Sequence, residues 1–154
     1  MEELQFPLIF KPNDEGSSQD LFLIENLEDL NVAFKNIADD REFLLEEYIS
    51  GREFSVGVVL YDGKYTALPP TEIILTKTKL FDYEAKYLGK SNEITPARIS
   101  PEIEQKVKET AIKVYDSLGM TGFSRSDFII MNDIPHFIEI NTNPGLSPQS
   151  IFPQ

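Results

Sequence analysis

Short apolar runs at period two, broken by turn residues, dominate this chain, and only two segments carry a helical stripe. Phe6 to Phe10 reads as a strand ending at Lys11-Pro12, and Leu21 to Ile24 as a second strand after the polar loop Asn13 to Asp20. Asn26 is placed to cap a helix whose apolar positions Leu27, Leu30, Phe34 and Ile37 follow helical spacing, with Asp39-Asp40 at its end. Phe43 to Ile49 and Glu53 to Tyr61 read as strands joined at Ser50-Gly51. Asp62-Gly63 is a hairpin signal returning into Lys64 to Leu68. Pro69-Pro70 interrupts, and Glu72 to Leu75 is again strand-like. Thr76 to Thr95 shows no clear period. Ser100-Pro101-Glu102 opens a second helix, with a cap, a proline at the first position and an acid near the positive end of the helix dipole. Its stripe is Ile103, Val107, Ala111, Val114 and Leu118, and Gly119 ends it. The pattern predicts one α+β unit with a mostly antiparallel sheet.

The last strands carry the chemistry. Gly122 to Gly145 reads as two apolar-rich strands around a short turn. Alternation puts Arg125 and Asp127 on one face of the first strand, and Glu139 and Asn141 on one face of the second. A loop centred on Asp133 sets Asp127 opposite Glu139 only if the loop is odd in length or a bulge intervenes. Two carboxylates, an amide oxygen and an arginine then converge on a sheet that is otherwise apolar. Unpaired buried charge is costly, so such a gathering points to a ligand. Hard oxygen donors of this kind suit Mg2+ holding a substrate phosphate. The structural alternative is a salt bridge from Arg125 to either acid, which leaves one carboxylate and Asn141 unexplained.

Composition narrows the reading. The 154 residues suffice for a domain with a real core, and the formal net charge of -12 argues against a nucleic-acid backbone as partner. With no cysteine, disulfides, thiolate metal sites and a cysteine nucleophile are excluded. No apolar run is long enough to span a bilayer, and Met1 to Phe10 is too short and acidic for a signal peptide. The chain opens almost directly in a strand and stops at Ile151-Phe152-Pro153-Gln154, so it is expected to be a piece of a larger protein.

Other motifs are weaker one by one. Lys11 stands at a strand end before Glu15-Gly16-Ser17-Ser18, where a lysine can reach a phosphate and loop amides can close over it; a solvated lysine beside an ordinary turn is the alternative. Glu46, Glu47, Tyr48 and Ile49 lead through Ser50-Gly51 to Glu53. An unpaired strand edge there can read an adenine, and a following carboxylate can accept both ribose hydroxyls; a hairpin with exposed acids is the alternative. Phe81-Asp82-Tyr83-Glu84-Ala85-Lys86-Tyr87 mixes aromatics with charge on a loop-like segment. Asn143-Pro144-Gly145 makes a tight turn whose amide can donate to an oxyanion, and Ser147 and Ser150 follow. His136, the only histidine, reads as a surface residue at a turn.

Taken in order, these motifs resemble the ATP-grasp fold, and within it the D-alanine–D-alanine ligase family. The resemblance runs from Pro7 to Pro153 and rests on the 81–87 string, Thr95-Pro96-Ala97, Arg125-Ser126-Asp127 and the run from Glu139 to Ser150. It implies an ATP-dependent cytoplasmic ligase with two Mg2+ ions, for which Mn2+ can substitute, acting on D-amino acids in peptidoglycan precursor synthesis. The first D-alanine carboxylate takes the ATP γ-phosphate to become an acylphosphate, and the amine of the second attacks the acyl carbon. By the same resemblance Lys11 and Lys86 hold phosphates, Glu46 meets the adenine amino group, the backbone of Glu47, Tyr48 and Ile49 lines the adenine, and Glu53 takes the ribose. Asp127, Glu139 and Asn141 bind the metal ions, with Glu139 bridging. Arg125 and the Gly145 amide form the oxyanion hole, Ser150 binds the second carboxylate, and Ser17 and Tyr87 orient the first D-alanine.

Partners implied are small D-amino acids and the family's amino-terminal domain, with no nucleic acid and no membrane; a homodimer is allowed for the full enzyme. That amino-terminal domain, with the glutamate that partners Ser17 and Tyr87, has no counterpart in this sequence. The chain alone is therefore expected to bind nucleotide weakly without turnover. After Ser18, Gln19-Asp20 stands where the family has a small residue and a glycine, adding a negative charge to the phosphate loop, and Gln149 stands where a histidine is common. Three other readings stay open. One is a different ATP-grasp carboxylate–amine ligase, and another a non-catalytic nucleotide-binding module. The third is a hydrolase using Asp127 and Glu139 as acid and base, which leaves Lys11, Lys86 and Asn141 without a role.

Overall fold

The computed structural model describes residues 4–14, 20–37, 41–75, 91–147 and 150–152. They fall into two compact units: Met1–Ile49 with Leu75–Ser91, and Ser50–Ile74 with Asn92–Gln154. Each has its own sheet and its own apolar core, where the sequence pattern alone suggests one unit.

The first unit holds a three-stranded antiparallel sheet in the order β2-β1-β3, with β1 Leu8–Pro12, β2 Phe22–Ile24 and β3 Phe43–Glu47. Helix α1, Leu27–Asn36, starts where Asn26 accepts the N–H groups of Glu28 and Asp29 at 2.9 and 3.0 Å. Glu28 and Asp29 in its first turn and Lys35 in its last complement the helix dipole. The buried stripe differs from the predicted one. Ala33 is buried and Leu30 and Ile37 pack beside it, whereas Leu27 and Phe34 are 66% and 56% exposed. A small residue at position 33 lets the helix approach Leu8, Phe10 and Ile24 closely, and the bulkier Phe34 lies to the side with its ring 5.0 Å from Phe10.

The second unit is a six-stranded sheet of order β7-β6-β4-β8-β9, with β5 paired to β4. Its strands are β4 Arg52–Tyr61, β5 Lys64–Ala67, β6 Thr71–Leu75, β7 Ser91–Ile94, β8 Phe123–Met131 and β9 Ile134–Asn141. Strand β7 falls in the segment that showed no period. The expected hairpin at Ser50-Gly51 is absent: β3 pairs with β1, and β4 pairs with β5, β6 and β8. The glycine serves a different purpose, since a Cβ on Gly51 would stand 2.4 Å from the Ile130 carbonyl oxygen. Asp62-Gly63 does form a hairpin turn, both residues at positive φ.

Helix α2, Pro101–Ser117, starts at Ser100, whose hydroxyl accepts the Ile103 N–H at 3.4 Å. It buries Val107, Ala111 and Tyr115 against Phe54, Val56, Val58, Phe128 and Ile130. Tyr115, not Val114 or Leu118, ends the stripe; its hydroxyl donates to the Gly122 carbonyl at 3.0 Å, which satisfies the polar tip of a buried ring. No described helix is long and apolar enough to cross a membrane.

One buried acid ties the sheet together. Glu72 on β6 is 5% exposed and lies opposite Phe54. Arg52 donates from Nε and Nη2 to its Oε1 at 3.0 and 2.7 Å, and Arg98 Nε reaches Oε2 at 3.4 Å. Burial alone would raise this carboxyl, but the hydrogen bonds and charges of the two guanidinium groups outweigh it and hold it below its ordinary value of 4.5. A depressed folded value means stability that is present above 4.5 and lost as pH falls through the folded value. Glu72→Gln is expected to lower the melting temperature at neutral pH and to lie much nearer the parent at a pH acid enough to protonate the folded carboxyl. Thermal melts at both pH values check this; an equal deficit at each would assign the loss to packing instead of charge.

Candidate functional site

In the second unit the core takes every other residue of β4 and β8, which leaves the alternate residues for the opposite face. On β4 these are Glu53, Ser55 and Gly57; on β8 they are Phe123, Arg125 and Asp127. The β8–β9 hairpin turns at Asn132-Asp133, both at positive φ, and pairs Met131 with Ile134. A two-residue turn of this kind would put Asp127 opposite Ile138. A register shift between Asp127 and Phe128 instead pairs Asp127 with Glu139 and Arg125 with Asn141. The bulge that the sequence required is therefore present, at the site itself.

The result is a polar row crossing four strands: Thr71, Ser55, Asp127 and Glu139 are successive register partners. Thr71 Oγ1 lies 2.6 Å from Thr95 Oγ1, which extends the row beyond β7. Asp127 is 6% exposed. Arg125 donates from Nε to its Oδ1 at 3.0 Å and from Nη2 to its Oδ2 at 2.8 Å, and Ser55 Oγ donates to Oδ1 as well. Burial disfavours the guanidinium charge, but the adjacent Asp127 carboxylate, helped by Glu139 and Glu93, more than offsets this and holds Arg125 above its ordinary value. Arg125 is thus fixed as a cation, paired with Asp127 and within the field of Glu139 and Glu93.

The salt bridge of Arg125 to Asp127 that the sequence allowed is real, and it accounts for neither Glu139, which is exposed, nor Asn141. Asn141 Oδ1 accepts the N–H of Asn143 at 3.0 Å, which shapes the turn toward Gly145. The donor set for a cation is then Asp127, Glu139 and Asn141: oxygens only, on one face, with net negative charge. That chemistry fits a small hard ion such as Mg2+. Among the described residues no three His, Cys, Asp or Glu side chains gather to hold a metal, and the set here has two carboxylates and an amide. Ser150 is placed beside Gly145: a Cβ on the glycine would stand 2.6 Å from Ser150 Oγ, which also lies 2.9 Å from Ser147 Oγ. A cavity of about 220 Å3 on this face is bounded by Arg125, Ser55, Thr71, Leu68, Ile151 and Phe152. Glu53 is half-buried on the same face of β4, opposite Ile73 and Ile129.

In the first unit Lys11 and Glu46 share a face of the sheet. Lys11 pairs in register with Leu44, and Glu46 with Ile9, leaving Phe10 and Leu45 to the core. Their charged ends meet, Nζ to Oε2 at 2.7 Å. β3 is an edge strand, and the Tyr48 N–H donates to the Pro7 carbonyl at 3.1 Å. Alternation turns the N–H and C=O of Glu47 outward from that edge. Asp20, the extra charge of the polar loop, is met by Arg41 Nη2 at 2.7 Å. Ser17, Lys86 and Tyr87 lie outside the described residues.

Sequence reasoning missed Ser55. The signal was there, since Phe54, Val56 and Val58 alternate with Glu53, Ser55 and Gly57, but a serine in an apolar strand reads as filler. The description of His136 as a surface turn residue is corrected: it lies within β9, half-buried, with Nε2 buried and without a partner among the described residues.

The family described as D-ala D-ala ligase C-terminus matches residues 1–154. A D-alanine–D-alanine ligase of Flavobacterium psychrophilum is 60% identical over 98% of the chain and 46% of its own length, and one of Christiangramia forsetii is 48% identical over 100% and 47%. Among solved structures, the VanG D-Ala:D-Ser ligase of Enterococcus faecalis matches with a TM-score of 0.82 at 36% identity, over 97% of this chain and 44% of that one. A D-alanine–D-alanine ligase of Bacillus anthracis complexed with ATP matches with a TM-score of 0.74 at 29% identity, over 96% and 46%. The chain spans about half the length of the relatives it matches.

Proposed function

The chain belongs to the D-alanine–D-alanine ligase family, as the match to its carboxy-terminal part along the whole sequence shows, and from that we propose that it is the ATP-grasp portion of a cytoplasmic ligase that makes D-alanyl-D-alanine for peptidoglycan precursors. The observation that carries this reading is the bulged pairing of Asp127 with Glu139, with Arg125 and Asn141 on the same face. It is the arrangement a metal-assisted phosphoryl transfer needs and a purely structural ion pair does not.

The roles follow the chemistry of each side chain. Asp127, Glu139 and Asn141 would hold Mg2+, which when bound offsets phosphate charge. Arg125, kept charged by Asp127, stands ready to stabilise a developing oxyanion with the Gly145 amide. Ser150 would receive the carboxylate of the second amino acid, and the cavity beside Arg125 is sized for a small amino acid, not for a nucleotide. Lys11 and Glu46, whose charged ends meet at 2.7 Å, would part to serve the phosphates and the adenine amino group, with the outward backbone of Glu47 and the 48–49 edge beside it lining the base. Lys86, Ser17 and Tyr87 keep the roles that the resemblance gives them. The part of the relatives' length beyond this chain is proposed to complete the first amino-acid site. D-Alanine is favoured as second substrate because the 60% identical relative is a D-alanine–D-alanine ligase, while the D-Ala:D-Ser enzyme is 36% identical.

The test is an assay of the protein that carries this chain. ADP release that requires D-alanine and yields the dipeptide is expected; ADP release indifferent to D-alanine would overturn the assignment. Within the site, Glu53→Ala is expected to weaken ATP by about 10–100-fold, the size of losing hydrogen bonds to a charged group, roughly 1.5–3 kcal/mol. A 2′,3′-dideoxy nucleotide should bind parent and variant alike in calorimetry, because it lacks the hydroxyls Glu53 would accept; an equal loss for both nucleotides removes the ribose role.

A further inference from the structure

We propose that Ser55 is a positioning residue that decides which oxygen of Asp127 is offered to a cation, an inference that rests on the metal site proposed above. Ser55 is 2% exposed, stands directly opposite Asp127 in the β4–β8 register, and has its hydroxyl on Oδ1. An ionised carboxylate accepts only, so the serine is the donor. Oδ1 then carries two hydrogen bonds, from Ser55 Oγ and from Arg125 Nε at 3.0 Å, while Oδ2 carries one, from Arg125 Nη2 at 2.8 Å. A carboxylate oxygen has two lone pairs in its plane. Oδ1 is therefore filled, and one lone pair of Oδ2 is left for a cation.

Arg125 alone cannot enforce this. Its parallel bonds to the two oxygens hold the carboxylate plane but treat Oδ1 and Oδ2 nearly alike. The hydroxyl of Ser55 breaks that symmetry from the neighbouring strand. Thr71, next in the row, is already engaged with Thr95 at 2.6 Å, so it does not draw the serine away. Partners behind a metal ligand of this kind typically change metal affinity by roughly 10–100-fold.

The experiment titrates Mn2+ and ATP with and without the protein that carries this chain and counts free Mn2+ by electron paramagnetic resonance, so that only Mn2+ held beyond what ATP alone holds is scored, with thermal melts alongside. Ser55→Ala is expected to weaken Mn2+ about tenfold, with ATP affinity in the absence of metal unchanged. Ser55→Thr keeps the hydroxyl, has the cavity beside residue 55 for its methyl, and should stay within about twofold of the parent. Ser55→Cys, a weak donor of similar size, should fall between them and serves if the alanine variant does not fold. Mn2+ affinity in Ser55→Ala and Ser55→Cys equal to the parent overturns the positioning role and leaves the metal site standing. An equal loss in Ser55→Thr and Ser55→Ala also overturns it. Failure of the parent itself to bind Mn2+ overturns the metal site, and the role of Ser55 with it.

Discussion

Glu139→Gln is expected to abolish the Mg2+ dependence of ATP binding, so that titrations with and without Mg2+ become superimposable. The change is close to isosteric, and Glu139 is exposed on β9, so the fold has little reason to respond. What is lost is one of the two carboxylates available to the cation. The remaining one, Asp127, already spends three of its four acceptor positions on Arg125 and Ser55. A neutral amide in place of the second carboxylate leaves a site of far lower charge, and Mg2+, which sheds water reluctantly, is not held by such a set. Calorimetry with equal ATP affinities in the presence of Mg2+ for parent and variant would exclude Glu139 from the metal site.

Asp127→Ala should produce a different and larger failure, in stability as well as in binding. Arg125 and Asp127 are 15% and 8% exposed at their side chains, so the substitution leaves a nearly buried guanidinium without its counter-ion and Ser55 without an acceptor. Breaking a buried pair from one side costs about 3–5 kcal/mol. For a unit of this size that is a fall in melting temperature of more than about 10 °C. The double variant Asp127→Ala with Arg125→Met should recover a large part of that loss, because the stranded charge is gone, but none of the metal binding. A double variant as unstable as the single one would mean that the damage is loss of packing, not an uncompensated charge.

The two predictions separate what the sequence made legible from what it hid. The face shared by Arg125, Asp127, Glu139 and Asn141 follows from alternation alone, and so does the need for a bulge, because an even turn at Asn132-Asp133 sets the wrong residues opposite each other. Caps were equally plain: Asn26 and Ser100 have side chains whose use at a helix start is local chemistry. What depends on distant partners was hidden. Phe43 to Ile49 and Glu53 to Tyr61 look like two arms of one hairpin, and nothing nearby reveals that they belong to different sheets. The stripe of α1 was misjudged because a phenylalanine outweighs an alanine in any apolar pattern, while packing prefers the small residue at the closest approach. The pairing of Glu72 with Arg52 and Arg98 depends on residues 20 and 26 positions away and leaves no mark in the strand pattern itself. Lys11 and Glu46 were assigned to opposite ends of a nucleotide, yet register brings their charges to 2.7 Å from each other. Ser55 acquires meaning only across the strand pair.

The most direct measurement is anomalous diffraction from crystals of the chain grown with ATP and Mn2+. A manganese peak is expected bonded to oxygens of Asp127, Glu139 and Asn141 at about 2.0–2.3 Å, with phosphate oxygens completing its coordination. ATP bound with its metal anywhere else, or with these three side chains turned from the phosphates, would contradict it.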